Sequence, residues 1–487
     1  MKDCGVLLHI SSLPSPYGIG DLGKEAYEFA DFLHDAGQSY WQVLPTVPTS
    51  YGDSPYQSPS SFAGNPYFLD LRALCREGLL TEEELQNARM PLGKTDYGKL
   101  FETRTALLEK AYSRFSETEE FYEFCKRNAY WLDSYALFSE LKRYFSLRPH
   151  WEWEKGYDFG SKQTLQFEKE HGHGIKFVKF LQFEFEKQWR ALKSYVNSLG
   201  IKIIGDAPIY AAYDSADFWE NPKRFTVDSC GKVTEVAGVP PDYFSEDGQL
   251  WGNPLYNWNE LAACGYDYWV NRVRRSFELY DVLRIDHFRG FCAYYAIPAG
   301  SATAREGVWR QGPGKALFDA IENALGKTDI LAEDLGVDSP ELRELLQDCG
   351  YPGMKVVQFG FGGSAKQNAH AVGNYSENYF GYTGTHDNDT TLGWYSSLSA
   401  AERKKVRARL PKNCPDVSKA VICALFGSKV KTAVVPMQDW LREGSESRMN
   451  IPGTKEGNWQ YRLKKMPSAS LCGEMLETAK KFERSAL

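Results

Sequence analysis

The sequence contains no uncharged apolar run of about 18 residues, the length needed to cross a bilayer. Its first residues, MKDCGVLLHI, lack the basic region and apolar stretch of a secretory signal. The ten cysteines are scattered and form no CxxC pair, which is typical of reduced thiols and not of a disulfide framework. Together these absences predict a cytoplasmic protein without a membrane-spanning segment.

Positive charge is also in short supply, with 57 Lys and Arg against 64 Asp and Glu and a formal net charge of −7. This balance argues against electrostatic attraction to nucleic acid or to an anionic membrane, and it favours a neutral ligand. Aromatic residues, in contrast, make up 14% of the chain. Their flat rings suit stacking against sugars and equally suit ordinary core packing, so both interpretations stay open.

The chain contains eight short apolar, β-rich segments, most of which end in a polar or charged cluster. They are residues 5–10, 40–45, 201–210, 282–289, 330–335, 355–361, 380–385 and 432–437. Helical patterns lie between most of them, and the clearest runs over about 176–199 with apolar residues three and four apart. Alternating strands and helices predict a parallel sheet, and eight strands favour a closed (β/α)8 barrel.

Two connections are too long for simple loops. Residues from about 50 to 176 follow the second predicted strand and contain helical patterns, while residues from about 213 to 266 follow the third and are rich in Pro, Gly and aromatics. Barrel enzymes build their sites from loops at the carboxyl ends of the strands. We therefore expect residues 1–487 to form one catalytic barrel, with a mainly helical insertion and a second insertion of loops over the site.

Two carboxylates end neighbouring predicted strands. Arg284 and Asp286 alternate along the fourth strand and so face the same side. A carboxylate kept ionised by a cation is suited to attack an anomeric carbon, although an ordinary salt bridge gives the same pattern. Glu333 ends the fifth strand at a matching height, and retaining glycosidases need two carboxyl groups about 5–5.5 Å apart. The alternative for Glu333 or Asp334 is a helix N-cap.

A third polar cluster, TGTHDNDTT, follows the seventh predicted strand. Within it, His386 and Asp387 are suited to hydrogen-bond sugar hydroxyls beside a reacting centre. A metal site is the competing interpretation, but it needs more converging ligands than this segment provides. Three polar clusters at the ends of strands in one barrel therefore indicate a single site.

At this point the sequence resembles the α-amylase superfamily, specifically the 4-α-glucanotransferases known as amylomaltase or disproportionating enzyme. The motifs that carry the resemblance are LLHISSLPSPYGIGDLG at 7–23, YGDSPYQSPSSFAGNPY at 51–67, GDAPIY at 205–210, AGVPPDYFSEDGQLWGNPLYNW at 237–258, LRIDHFRG, LAEDLG, TGTHDNDTTLGW, NIPGT and NWQYR. The resemblance covers essentially the whole chain. GDAPIY lacks the Asn and His that amylases place there, and the short stretch after Met437 leaves no room for their C-terminal β-domain.

The resemblance implies roles for residues in these motifs. Asp286 is similar to the catalytic nucleophile, Glu333 to the general acid/base and Asp387 to the carboxylate that stabilises the transition state. Arg284 and His386 resemble residues that contact the sugar. The remaining expectations concern residues with a competing structural explanation. Asp206 resembles a further residue of the sugar site, and helix capping is the alternative. Contacts on the acceptor side and in the lid are implied for four loop residues, with local loop packing as the alternative: Tyr51, Tyr56, Gln249 and Trp251.

These observations predict a 4-α-glucanotransferase that moves α-1,4-glucan segments to the 4-hydroxyl of glucose or maltodextrins through a retaining double displacement. Its donors would be maltooligosaccharides and α-glucans, and the resemblance implies no cofactor and no metal. A cytoplasmic α-1,4-glucan hydrolase with the same carboxylates is the alternative. A non-enzymatic glycan-binding protein is disfavoured, because binding alone needs aromatics and not three carboxylates.

Overall fold

A computed structural model describes residues 2–50, 52–241, 246–336, 339–414 and 416–485. The strands in these ranges are β1 Asp3–Leu7, β2 Tyr40–Gln42, β3 Lys202–Ala207, β4 Glu235–Val239, β5 Gln249–Pro254, β6 Val282–Ile285, β7 Ala293–Pro298, β8 Val308–Gln311, β9 Ile330–Ala332, β10 Gly353–Val356, β11 Tyr379–Tyr382 and β12 Thr432–Pro436. The α-helices are α1 Lys24–Asp35, α2 Leu71–Arg76, α3 Glu82–Asn87, α4 Tyr97–Arg114, α5 Glu119–Tyr144, α6 Lys162–Glu170, α7 Gly172–Ser198, α8 Ala216–Glu220, α9 Trp258–Ala263, α10 Asp267–Leu279, α11 Lys315–Leu325, α12 Pro340–Cys349, α13 Thr391–Ser397, α14 Ala400–Arg409, α15 Val417–Phe426, α16 Met437–Leu441 and α17 Ala469–Lys481.

Eight parallel strands form one sheet in the order β10-β11-β12-β1-β2-β3-β6-β9. The two end strands also meet, because the N–H of Ala332 donates to the carbonyl of Pro352 at 2.9 Å. The N–H of Met354 donates to Oδ1 of Asp334 at 2.7 Å beside this junction. The sheet thus curls into a barrel, and the predicted (β/α)8 fold is confirmed. The described residues after β12 add α16 and α17 and no strand.

Strand alternation turns the key polar residues into the mouth of the barrel. Ile204, Val282 and Leu331 belong to the small apolar cluster that fills the barrel interior. Asp206, Arg284 and Glu333 each follow one of these residues by two positions, so their side chains point toward the same interior. The same pleat that builds the core therefore also builds the site.

The sixth predicted strand, 355–361, ends earlier than its apolar pattern indicates. Pairing with β11 stops at Val356 opposite Tyr382, and Val357–Phe361 form a 3-10 helix. There the side-chain amide of Gln358 donates to the carbonyl of Asp389 at 2.9 Å. Apolar alternation continues past the last residue that has a partner strand, so it overestimates the length of this strand.

The long connections contain regular structure. Helices α2 to α7 lie between β2 and β3, and α7 begins at Gly172, earlier than the predicted 176. The segment 213–266 contains α8, α9, β4 and β5 in addition to loops, and an antiparallel sheet in the order β5-β4-β7-β8 joins it to residues after β6. Division of the chain into a barrel and two insertions stays a prediction. Within the described residues, no helix is both long and apolar enough to span a membrane.

Candidate active site

Arg284 bridges two carboxylates at the end of β3 and β6. Its Nη1 donates to Oδ1 and Oδ2 of Asp206 at 2.7 and 2.6 Å, and its Nη2 donates to Oδ1 of Asp286 at 2.8 Å. Burial disfavours the charge of Arg284, but the two carboxylates outweigh it and raise its pKa well above the usual range. Asp206 is held across the ladder from Arg284 and does not cap a helix, since Ser215 caps α8.

Glu333 lies beside Asp286 because the strands carrying them are paired in register. Ile285 faces Ala332 in the β6 and β9 ladder, so the next residues on each strand occupy matching positions. Oε2 of Glu333 accepts from the N–H of His287 at 2.8 Å, and Oε1 accepts from the N–H of Leu335 at 2.7 Å. His287 has a left-handed backbone with φ 51°, a rare conformation for a residue other than glycine. That turn aims its N–H at the carboxyl group.

The two neighbouring carboxyl groups lie in different electrostatic environments. Burial, and next the charge of Asp286, raise the pKa of Glu333 to about 8, against the opposing effects of Arg284 and the Leu335 N–H. The side chain of Asp286 is 29% exposed and paired with the buried guanidinium. The raised pKa favours the protonated form of Glu333 at neutral pH, so a carboxyl group suited to donate a proton lies next to an ion-paired carboxylate.

Asp387 follows β11 and is fixed by residues from the C-terminal part of the chain. Nδ2 of Asn450 donates to Oδ1 of Asp387 at 2.6 Å, and Arg448 donates to its backbone carbonyl at 2.5 Å. Nε2 of the neighbouring His386 lies 3.4 Å from the same Oδ1. The N–H of Asn450 in turn donates to the carbonyl of His386 at 3.2 Å. This segment thus holds both members of the pair predicted from the sequence.

Tyr56 connects the ends of β3 and β11. Its hydroxyl donates to Oδ2 of Asp206 at 2.7 Å, and its ring stacks on His386 with centroids 5.2 Å apart. The ring of Trp459 lies 5.5 Å from Tyr56 and 6.0 Å from His386, which completes an aromatic group of three. Tyr56 is therefore part of the carboxylate site, and its packing is not confined to its own loop.

Gln249 and Trp251 lie on β5, above the same site. Nε1 of Trp251 donates to Oε1 of Gln249 at 3.1 Å, and the Trp251 ring meets His287 edge-on at 4.9 Å. His287 directly follows Asp286, so Trp251 borders the carboxylates. The predicted contact at Tyr51 lies outside the described residues.

Other polar residues of the TGTHDNDTT segment stabilise its turn or connect it to later parts of the chain. Oδ1 of Asn388 accepts from the N–H and hydroxyl of Thr385 at 2.8 and 3.0 Å, while Oδ2 of Asp389 accepts from Ser445 at 2.6 Å. Across the described ranges, no group of three or more His, Cys, Asp or Glu is arranged to hold a metal ion. The N-cap interpretation of Asp334 is wrong, because Ser339 caps α12 and Asp334 accepts the N–H at the start of β10.

Comparison with known proteins places this geometry in a family. The family model described as 4-alpha-glucanotransferase matches residues 8–468. The chain belongs to this 4-alpha-glucanotransferase family. It is 44% identical over 465 residues to the 4-alpha-glucanotransferase of Clostridium butyricum, covering 94% of this chain and 95% of that protein. Identity to the Thermus thermophilus 4-alpha-glucanotransferase is 45% over 474 residues, with 94% of each chain covered.

A solved structure of a glucanotransferase relative has the same fold. The amylomaltase from Streptococcus agalactiae in complex with acarbose superposes with a TM-score of 0.95 at 37% identity, covering 100% of both chains. The amylomaltase from Corynebacterium glutamicum, at 17% identity and a TM-score of 0.81, supports the fold alone. The predicted family, fold and enzyme class are thereby confirmed: this is a glycosyltransferase of the 4-alpha-glucanotransferase type.

Three residues of this candidate site received no role from the sequence. Arg448, Asn450 and Trp459 contact Asp387, His386 or Tyr56, yet they lie far from all three along the chain. For Asn450 and Trp459 the signal was present in the NIPGT and NWQYR motifs, which contain polar residues together with Pro, Gly or Trp. Such motifs mark a conformational requirement but do not identify the strand end that they contact.

Proposed function

We propose that Asp286 attacks the anomeric carbon of an α-1,4-glucan while Glu333 donates its proton to the departing glycosidic oxygen. The observation that carries this proposal is the environment of the two carboxyl groups. Arg284 pairs with Asp286, and burial beside that carboxylate raises the pKa of Glu333 to about 8. The nucleophile must be ionised and the acid protonated at the same pH, and the raised pKa of Glu333 favours this combination.

The second step of the proposed reaction reverses the first. Once the shortened glucan leaves, Glu333 is ionised and accepts the proton of an incoming 4-hydroxyl, which attacks the β-linked glycosyl ester on Asp286. The ester bond breaks, a new α-1,4 bond forms and the Asp286 carboxylate is regenerated. The proton that Glu333 gave to the leaving oxygen is replaced by the proton of the acceptor, so the cycle balances.

Asp387 and His386 are proposed to hold the reacting sugar. Asn450 and His386 orient Oδ1 of Asp387, whose side chain is 42% exposed and so open to a ligand. Hydrogen bonds from sugar hydroxyls to these groups strengthen as positive charge develops at the anomeric carbon. Asp206 is proposed to act with them in a sugar-binding role, since Arg284 and Tyr56 fix its position.

Glucanotransfer requires that an acceptor sugar compete with water for the glycosyl ester. We propose that the aromatic residues over the site favour the sugar by stacking on glucose rings and displacing solvent. Tyr56 and Trp251 are positioned to do this, Gln249 accepts a hydrogen bond from Trp251 and is proposed to contact the acceptor beside it, and Tyr51 is assigned the stacking role from its motif. Donors would be maltooligosaccharides and α-glucans, and acceptors would be glucose or maltodextrins. The acarbose complex of the Streptococcus agalactiae relative supports a sugar-like ligand.

The proposal extends to the cellular compartment and to the organisation of the chain. All ten cysteines are free thiols, and reduced thiols are usual in the cytoplasm. We therefore assign the enzyme to the cytoplasm. We also propose a single catalytic barrel whose segments 50–176 and 213–266 are insertions. Both depart from the carboxyl end of a barrel strand, where Tyr56 and Trp251 reach the site.

The test is incubation of the purified protein with maltotriose, followed by chromatography of the products and an assay of reducing ends. Transfer predicts glucose and a ladder of longer maltodextrins at a constant number of reducing ends. A rising number of reducing ends without longer products would establish the alternative hydrolase and contradict the proposed water exclusion.

A matched pair of variants tests the assignment of the nucleophile. Asp286→Asn keeps the shape of the side chain but removes its charge, and we expect turnover to fall by about 10⁴-fold or more while maltodextrin binding remains. Asp281→Asn changes a carboxylate at the opposite end of the same strand and serves as the control. Equal turnover in both variants would overturn the mechanism.

A further inference from the structure

Two stacked aromatic rings lie at the surface outside the carboxylate site. The rings of Trp151 and Tyr213 have centroids 4.3 Å apart and planes 11° from parallel. Trp151 is 49% exposed although one of its faces lies against Tyr213. A ring with one covered face and this degree of exposure offers much of its other face to solvent. A flat aromatic face exposed in this way is available to pack against the apolar face of a ligand.

The aromatic pair is held rigidly by polar contacts beneath it. The ring of His150 meets Trp151 edge-on at 5.1 Å and Tyr213 edge-on at 5.3 Å. Asp214 accepts from the backbone N–H of His150 at 3.1 Å and from Nζ of Lys142 at 2.5 Å. The ion pair therefore fixes the turn that carries Trp151 against the segment that carries Tyr213. Little conformational entropy would be lost when a ligand binds to rings that are already fixed.

The pair is connected to the candidate active site through the segment after β3. Tyr213 follows Asp206 along this segment, which leaves the carboxyl end of the barrel. Within the segment, the carbonyl of Ala211 accepts from Nδ2 of Asn253 at 3.0 Å, and Oδ1 of Asn253 accepts from Gln57 at 2.8 Å. These bonds tie the segment to the loop of Tyr56 and to the strand of Trp251. The segment that carries Tyr213 is thus attached to the elements that form the carboxylate site.

We propose that Trp151 and Tyr213 form a second binding platform for α-glucan, which holds part of a long chain away from the reacting bond. The inference rests on the proposed function, which supplies a neutral polymeric substrate. Glucose rings present C–H faces that pack on flat aromatic rings, and their hydroxyls remain solvated at the edges. A platform attached to the active-site end of the barrel raises the local concentration of long chains there. Short oligosaccharides, bound by the reacting site alone, gain nothing from it.

The test compares Trp151→Ala and Tyr213→Ala with the unchanged protein on maltotriose and on amylose. Phe101→Ala is the matched control, since Phe101 is an aromatic residue of α4 that is 52% exposed. Binding of amylose is measured separately by affinity electrophoresis, with each substitution placed in the Asp286→Asn background so that no turnover occurs. Trp151→Tyr tests whether another flat ring restores binding. Thermal unfolding of every variant checks that the fold is retained.

We expect Trp151→Ala to raise the apparent Kd and the KM for amylose by about three- to tenfold, with maltotriose kinetics unchanged and partial rescue by Tyr. Wild-type amylose kinetics in Trp151→Ala would overturn the platform. An equal loss on maltotriose would also overturn it, because the rings would then belong to the reacting site or support the fold. If the unchanged protein transfers nothing from maltotriose, the proposed function has failed, and not the platform alone.

Discussion

At the scale of single residues, the pKa of Glu333 depends on burial and on groups from two neighbouring strands. Asp286 follows the neighbouring strand. The backbone N–H groups of His287 and Leu335 donate hydrogen bonds to the two carboxyl oxygens of Glu333. A carboxyl group with two such donors usually has a low pKa. Here burial and the charge of Asp286 dominate, so the pKa of Glu333 is raised to about 8.

The raised pKa predicts the alkaline limb of the pH profile. Glu333 must be protonated to release the leaving sugar, so kcat/KM is expected to hold below its pKa and to fall tenfold per pH unit above about 8. The measurement is kcat/KM for maltotriose across pH 5 to 10, the range limited to conditions where circular dichroism shows a folded protein. An alkaline limb near the ordinary glutamate pKa, or none at all, would contradict the assignment of Glu333 as the acid.

Asn450 is a positioning residue for Asp387. Asn450→Ala removes the 2.6 Å hydrogen bond to Oδ1 of Asp387 and leaves the longer 3.4 Å contact with His386 to hold this oxygen. Since this carboxylate is proposed to act mainly in the transition state, we expect kcat to fall by about 10- to 100-fold with a smaller change in KM. Steady-state kinetics on maltotriose check this split. A higher KM at unchanged kcat would instead make Asn450 a contact for ground-state binding.

At the scale of secondary-structure elements, the packing of β3 depends on Gly205, the residue before Asp206. A Cβ added at Gly205 would lie 2.0 Å from the ring of Tyr280. Tyr280 is 4% exposed, and its hydroxyl forms a 2.6 Å hydrogen bond with Thr46, so the ring has no room to move. The glycine of the GDAPIY motif thus allows Tyr280, which lies between α10 and β6, to pack on β3 opposite the face that carries Asp206.

Gly205→Ala is expected to lower the free energy of unfolding by about 1–3 kcal/mol, because it overpacks a rigid part of the core. Gly473→Ala is the control, since nothing lies within 4 Å of its added Cβ and the residue is inside α17. Replacing a helical glycine there is expected to stabilise by about 0.5–1 kcal/mol. Urea denaturation of both variants checks the opposite signs; equal effects would contradict the packing argument.

At the scale of the whole molecule, the C-terminal segment binds back onto the first and last barrel strands. Arg484 is fully buried and donates to the carbonyls of Phe426, Ser428, Val430, Lys431 and Asp3. One guanidinium thus satisfies acceptors from both β1 and the loop before β12. The barrel begins and ends at this junction, so the side chain connects the two ends of the fold.

Arg484→Ala is expected to lower the free energy of unfolding by about 3–5 kcal/mol, since it leaves several buried carbonyls without a donor. Lys480→Ala, an exposed residue of α17, is expected to change it by less than about 0.5 kcal/mol. Thermal and urea unfolding followed by tryptophan fluorescence give the comparison. A loss of less than about 1 kcal/mol in Arg484→Ala would mean that water replaces the guanidinium.

The sequence by itself determined the order of eight strands, the fold and the family, because strand pattern and long motifs are local properties of the chain. It also identified Asp286 and Glu333, since each directly follows an apolar strand, and Asp387, which lies in the polar segment after β11. Their catalytic roles stay proposals. Strand 355–361 was predicted too long, because an apolar pattern does not show where a partner strand ends.

Only the tertiary structure decided which distant segments meet. It brought Asn450 to Asp387 and Trp459 to Tyr56. It also paired β4 with β7, although β6 lies between these two strands in the sequence. It also set the protonation of Glu333, which depends on burial and on the charge of a neighbouring strand. The physical reason is the same in each case: hydrogen bonds, stacking and desolvation act between groups close in space, and the spacing of residues along one chain does not specify that proximity.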